Sequence, residues 1–263
     1  MIVSEQDSMA EKHIDTDEES RPSAKAHADE WRTMDEERCE QVLEVDPFDN
    51  YARFRLSEIL IGEDRDLTVA ERLVKSIMTK DPQFMRAECY ELLGDIEYSE
   101  YNKRYEKAVE HYHKANNLRA ASKSKDASTV GLYVKLGRAL EKLRDFDEAI
   151  AFLKKALRRD KNNFQALYRV AMCYIRNNMR EEGIEALIRA HELNPEDIDT
   201  MLKLSEIYLR DDKKLSEAET IIKKVLAVDG LLPEANLNLG RVYEKQGMND
   251  QALEQFKKGL KLS

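Results

Sequence analysis

The segment DFDEAIAFLKKAL at 145–157 returns, little changed, as MNDQALEQFKKGL at 248–260. A chain that rewrites one acidic, then apolar, then basic segment 103 residues later is built from units that recur, so its period is the first constraint on its fold. The small residue near the start of the segment reveals that period. Ala149, Gly183, Ala218 and Ala252 stand 34, 35 and 34 residues apart. Tyr174, Tyr208 and Tyr243 keep steps of 34 and 35, and Gly137, Ala171, Ser205 and Gly240 keep 34, 34 and 35. The one added residue falls in RDDKKLSEA, where a turn is expected.

Within each unit the apolar residues recur at three and four, which is the spacing of one helix face. The stretch VGLYVKLGRALEKL (130–143) reads as a first helix, and EAIAFLKKAL (148–157) as a second. Asp145 or Asp147 can cap the second helix, whose acidic start and basic end suit its dipole. Gly137 and Ala149 let the two backbones approach, and Leu136, Leu153 and Leu157 fill the space around the crossing. With only nine glycines and five prolines, long helices are allowed and an all-β fold of many tight turns is disfavoured.

A bulky residue, then Leu-Gly, Tyr, Ala, Phe, Ala and Pro over 34 residues resembles the tetratricopeptide repeat. The last unit carries Leu239, Gly240, Tyr243, Ala252, Phe256 and Gly259, and the unit at 164–197 carries Tyr174, Leu187, Ala190 and Pro195. Upstream the register decays: Leu93 and Gly94 precede Ala108, Tyr112 and Ala115, and before them come Leu56, Ser57, Ala70 and Pro82. The resemblance implies an all-α fold, a right-handed α-solenoid of about six helix-turn-helix repeats plus an N-terminal half-repeat. The expected organisation is an acidic disordered tail over 1–30, a capping half-repeat helix over 31–46 and divergent repeats one and two over 47–118. A Ser/Lys-rich loop over 119–129 follows, read as surface loop, hinge or modification site, and then repeats three to six over 130–263.

Charge and motifs narrow the function. The net charge is −9, and Met1–Glu30, with nine acidic and three basic residues, holds −6 of it. A body near neutrality lacks the positive field that nucleic acid demands. No apolar run is long enough to cross a bilayer, and no leader pattern opens the chain, so a cytoplasmic location is expected. Cys39, Cys89 and Cys173 lie far apart without zinc spacing and read as buried thiols. His191-Glu192 starts like a zinc-protease motif, but Leu193-Asn194-Pro195 follow. His111 and His113 point to different faces of one helix and read as exposed. No phosphate loop or dinucleotide motif occurs. The chain is therefore expected to have no catalytic residue, no metal and no cofactor.

The resemblance also implies a concave groove lined by the first helix of each repeat. Its inward positions fall on Val134, Tyr168, Leu202 and Leu237, on Arg138, Met172, Glu206 and Arg241, and on Lys142, Arg176, Arg210 and Lys245. An apolar strip beside a basic strip predicts a partner peptide or helix with acidic and apolar residues. The upstream repeats present Glu58, Glu88, Glu91 and Asp95 instead. The carboxylate clamp of the family's co-chaperones is absent, because Val134, Arg138, Arg169, Asp199 and Lys203 occupy its positions. Phe256 and Leu260 on the last helix, beside Lys257, Lys258 and Lys261, form an expected C-terminal interface. The alternative function is a structural subunit that self-associates through the ends of the solenoid, with that C-terminal face as the contact of a homo-oligomer.

Overall fold

The computed structural model describes residues 30–122 and 128–261; apart from Glu30, the expected acidic tail lies outside them. Among the described residues there are thirteen α-helices and no strand. A 3-10 turn at Trp31–Thr33 leads into α1 (Glu36–Val45). Six antiparallel pairs follow: α2 (Asn50–Gly62) with α3 (Leu67–Lys80), α4 (Arg86–Tyr98) with α5 (Tyr105–Ala121), and α6 (Ser128–Lys142) with α7 (Phe146–Arg159). Then come α8 (Phe164–Arg176) with α9 (Arg180–Leu193), α10 (Ile198–Tyr208) with α11 (Leu215–Val228), and α12 (Pro233–Lys245) with α13 (Asn249–Leu260). The fold is a helical-repeat solenoid. The extra residue of the fifth repeat is absorbed by a 3-10 turn, Asp212–Lys214.

Local chemistry sets the boundaries. Asp49, Asn163 and Asp197 each precede a first helix and accept a hydrogen bond from the backbone N–H three residues on, at 2.7, 2.9 and 2.8 Å. Asp145 does the same for α7, at 3.1 Å. Between the helices of a pair the chain turns through a left-handed residue: Lys103, Arg144, Asn178 or Gly247. There the N–H of Arg104, Asp145, Met179 and Met248 reaches back to the carbonyl of Glu97, Leu140, Tyr174 and Tyr243, at 2.8–3.0 Å. One closing bond, written with different residues, ends each of these first helices.

The small residues sit where the helices cross. A Cβ added to Gly137 would lie 2.5 Å from Leu153, one on Gly94 2.4 Å from Tyr112, and one on Gly240 2.5 Å from Phe256. Ser57, Ala171 and Ser205 hold the same place in the other repeats, and all three are buried. On the second helices Ala70, Ala108, Ala149, Gly183, Ala218 and Ala252 are buried as well. A glycine in a helix costs about 1 kcal/mol relative to alanine, and here it makes room for a whole leucine or aromatic ring.

The Ser/Lys-rich loop is shorter than expected. Its first residues, 119–121, extend α5 and its last, 128–129, open α6, because Arg119 is buried against α4 rather than solvated. Overfilling a crossing tests the packing. Gly137→Leu should lower stability by about 1–3 kcal/mol or more, read by thermal unfolding followed by circular dichroism. Gly62→Ala, whose added methyl meets nothing within 4 Å, should leave the midpoint unchanged or raised.

Candidate partner-binding face

The first helices form one row. Helix α2 packs directly on α4, α6 on α8, and α10 on α12, so matching positions in those neighbours face the same side. The four residues at the carboxyl end of the row, Lys142, Arg176, Arg210 and Lys245, are all exposed. Arg176 reaches Glu141 of the preceding repeat at 2.7 Å, and Lys245 reaches Asp212 at 2.6 Å. Lys142 and Arg210 have no ion-pair partner among the described residues. Two clefts open at this edge. One, of about 380 Å³, lies between α6 and α8 beside Glu141, Lys142, Phe146 and Arg176. The other, of about 440 Å³, lies between α10 and α12 beside Glu206, Arg210, Arg241, Glu244 and Lys245.

The apolar strip is not where the sequence suggested. Val134 and Leu202 are 6% and 5% exposed and belong to the core. Leu237 is half-buried beneath Gly259, where an added Cβ would lie 2.7 Å from its Cγ. Tyr168 is half-buried and stacks on Phe164, with ring centres 6.4 Å apart, and Met172 is half-buried. Arg138 is half-buried, and its guanidinium lies 4.4 Å from the centre of the Tyr98 ring. Arg241 is exposed and donates to Asn238 at 3.0 Å.

The acidic upstream positions are occupied too. Lys135 on α6 donates to Glu91 at 2.8 Å and to Asp95 at 2.7 Å, both on α4. Tyr112 on α5 donates its hydroxyl to the other Asp95 oxygen at 2.8 Å. Arg119 pairs with Glu91 at 2.7 Å and lies 3.6 Å from Glu88. Burial pushes the Asp95 carboxyl above the usual carboxylate range against the pull of Lys135. Burial also pulls down on the Lys135 ammonium, and Asp95 and Glu91 outweigh it. The acidic patch is thus an internal ion cluster joining α4, α5 and α6. Sequence reasoning missed it, because it closes around Lys135, a residue outside the inward-facing positions.

The other candidate chemistry is also structural. The three cysteines are free and buried, and burial pushes the thiols of Cys89 and Cys173 up to about 12, which leaves little thiolate at neutral pH. His111, expected on the surface, is half-buried and stacks on Tyr90 with centres 6.0 Å apart; burial holds its imidazole below the ordinary range. Among the described residues no group of three or more His, Cys, Asp or Glu is placed to hold a metal. None of their helices is long and apolar enough to cross a membrane.

At the end of the array Phe256 is not the exposed contact expected of it; it fills the space left by Gly240. Leu260 is exposed, at 58%, together with Leu253, at 56%. Leu253 could have been found from the repeat itself, since its counterpart Ile150 is 7% exposed beneath the following repeat.

The tetratricopeptide repeat profile matches residues 140–204 and, separately, 233–263. These two stretches are tetratricopeptide repeats. A crystal structure of MamA is similar at 25% identity and a TM-score of 0.55, covering 64% of this chain and 93% of that one. A second MamA crystal structure gives 24% identity and a TM-score of 0.56, over 66% and 90% of the two chains. MamA from Desulfovibrio magneticus RS-1 shares the fold at 20% identity and a TM-score of 0.57, over 67% and 94%. Comparison with curated proteins by sequence returns no match. The tetratricopeptide array is a protein-interaction scaffold.

Proposed function

We propose that the chain is a non-catalytic adaptor of the cytoplasm, working in a multi-subunit complex, whose inner row of first helices holds an acidic segment of a protein partner. The observation that carries this reading is the cationic edge of that row, one exposed Lys or Arg per repeat from the third to the sixth. Two of the four, Lys142 and Arg210, lack an ion pair among the described residues and are available to an incoming carboxylate. The net charge of −9 disfavours nucleic acid as that partner.

Charge reversal tests the reading. Lys142→Glu with Arg210→Glu exchanges two exposed side chains, so helicity and thermal midpoint should stay close to wild type. Immobilised wild-type protein should retain a partner that the double variant loses by tenfold or more, mainly through slower association. Equal retention by both proteins contradicts the reading.

Self-association is the second reading, and Leu253 and Leu260 favour it. Two exposed leucines beside Lys257, Lys258 and Lys261 form an apolar patch with a basic rim, a surface suited to another subunit. Sedimentation of the pure protein should then show a concentration-dependent dimer that Leu253→Asp with Leu260→Asp dissolves. A monomer at all concentrations removes this second reading.

A further inference from the structure

We propose that the end of α7 carries a docking surface separate from the row of first helices, a cationic stripe that takes an acidic segment of a protein partner. The sequence from Lys154 to Lys161 reads KKALRRDK. Lys154, Arg158, Arg159 and Lys161 are exposed, and Lys155 is half-buried. None of the five has an ion-pair partner among the described residues. The nearest carboxylates along the chain are engaged elsewhere. Glu148 lies 3.4 Å from His113, and Asp160 accepts from Asn162 and Asn163 at 3.1 Å each. Arg189 of α9 donates to the Lys161 carbonyl at 3.3 Å, which brings a further cation beside the same helix end.

The other second helices show what α7 lacks. On α3, α5, α11 and α13 a lysine in this part of the helix is paired with the glutamate one turn earlier. Glu71 holds Lys75, Glu110 holds Lys114, Glu219 holds Lys223 and Glu254 holds Lys258, all at 2.5–2.7 Å. In the repeat register Lys155 corresponds to Lys114, Arg189 and Lys258, and the residues four before those are Glu110, Glu185 and Glu254. In α7 that residue is Ala151, which is exposed. Instead of carboxylates, α7 sets Arg158 four residues after Lys154 and Arg159 four after Lys155, like charges that weaken a helix. The helix dipole favours cations in the last turn and so accounts for Arg158 and Arg159. It gives no reason for Lys154 and Lys155, a turn earlier. A helix that breaks the pairing rule of its own array, with no carboxylate in the fold to offset it, has the charge pattern of a surface completed from outside.

The rings beneath the stripe fix its cations without neutralising them. Lys155 lies 4.1 Å from the Phe152 ring centre, Lys154 5.3 Å from that of Tyr174 and Arg159 5.8 Å from that of Tyr133. Rings covered in this way are not open to stack on bases, and the net charge of −9 opposes a polyanion such as nucleic acid. A lipid surface takes up an amphipathic helix by its apolar face, and the one exposed apolar residue of α7 is Ala151. An acidic protein segment fits both conditions. Its carboxylates supply the partners that Ala151 withholds, and it needs no apolar seat.

The experiment supplies the missing glutamate. A fluorescein-labelled Glu-rich peptide is titrated by anisotropy against the full chain carrying Lys142→Glu and Arg210→Glu, so that the inner row does not contribute. That protein should bind the peptide. Adding Ala151→Glu should weaken binding about five- to tenfold, because an internal carboxylate then occupies Lys155 and repels the ligand. The thermal midpoint should hold or rise, since the variant gains the pairing that the other second helices have. Lys154→Gln with Arg158→Gln, which removes two cations and adds no carboxylate, should weaken binding to a similar extent. No binding of the peptide, or the same affinity with and without Ala151→Glu, overturns the proposal. Tighter binding of phosphatidylserine vesicles or of a single-stranded oligonucleotide than of the peptide assigns the stripe to a lipid or nucleic-acid surface and overturns the protein partner. Because the inner row is already reversed, these outcomes leave the acidic-ligand reading of that row standing.

Discussion

Everything in this array depends on two helices of a pair coming close enough to exclude water between them. That approach is bought by the absence of a side chain at one position of the first helix. Gly94, Gly137 and Gly240 have no room for a methyl group beside Tyr112, Leu153 and Phe256, and Ser57, Ala171 and Ser205 leave little more. A helix pair of this size buries one face of each helix and no more. The remaining apolar surface has to be covered by the next pair, so stability is shared between neighbours along the chain.

The second repeat adds ions to that sharing. Helices α4 and α5 are joined by a longer turn, Ser99–Arg104, whose backbone is closed by a bond from Arg104 N–H to Glu97 at 2.8 Å. Its link to the third repeat combines an apolar core, in which Ala108, Tyr112 and Ala115 pack with Leu132 and Leu136, with ions: Lys135 spans to Glu91 and Asp95, and Arg119 holds Glu91 from the other side. Taking these groups out of water is costly, and their mutual attraction offsets the cost only while every member is present. The cluster therefore specifies how the divergent repeats meet the regular ones more than it adds net stability.

The architecture was legible in the sequence because it rests on local spacing. The 34-residue register located the crossings, the capping Asp145 and the turn that absorbs the added residue before Leu215. The face was legible only in part. Lys142, Arg176, Arg210, Arg241 and Lys245 emerge on the surface as the register implies. Val134 and Leu202 do not: both are buried in the core, while Tyr168 and Leu237 at the same repeat position stay half-buried. The ion cluster was illegible for a different reason: Asp95 and Lys135 are 40 residues apart, and only the stacking of α6 beside α4 brings them together. Long-range charge pairing leaves no periodic trace.

The array is continuous from the divergent repeats into the regular ones, and Lys135 reinforces the join through Glu91 and Asp95. Hydrogen exchange read by mass spectrometry, on wild type and on Lys135→Met, tests it most directly. In the wild-type protein the amides of α4 and α5 should be protected to the same degree as those of α6. In the variant, which leaves Glu91 and Asp95 without their shared cation, α4 and α5 should lose protection together while α8 to α12 keep theirs. Free exchange of α4 and α5 in the wild-type protein, or no change on removing Lys135, would contradict the account.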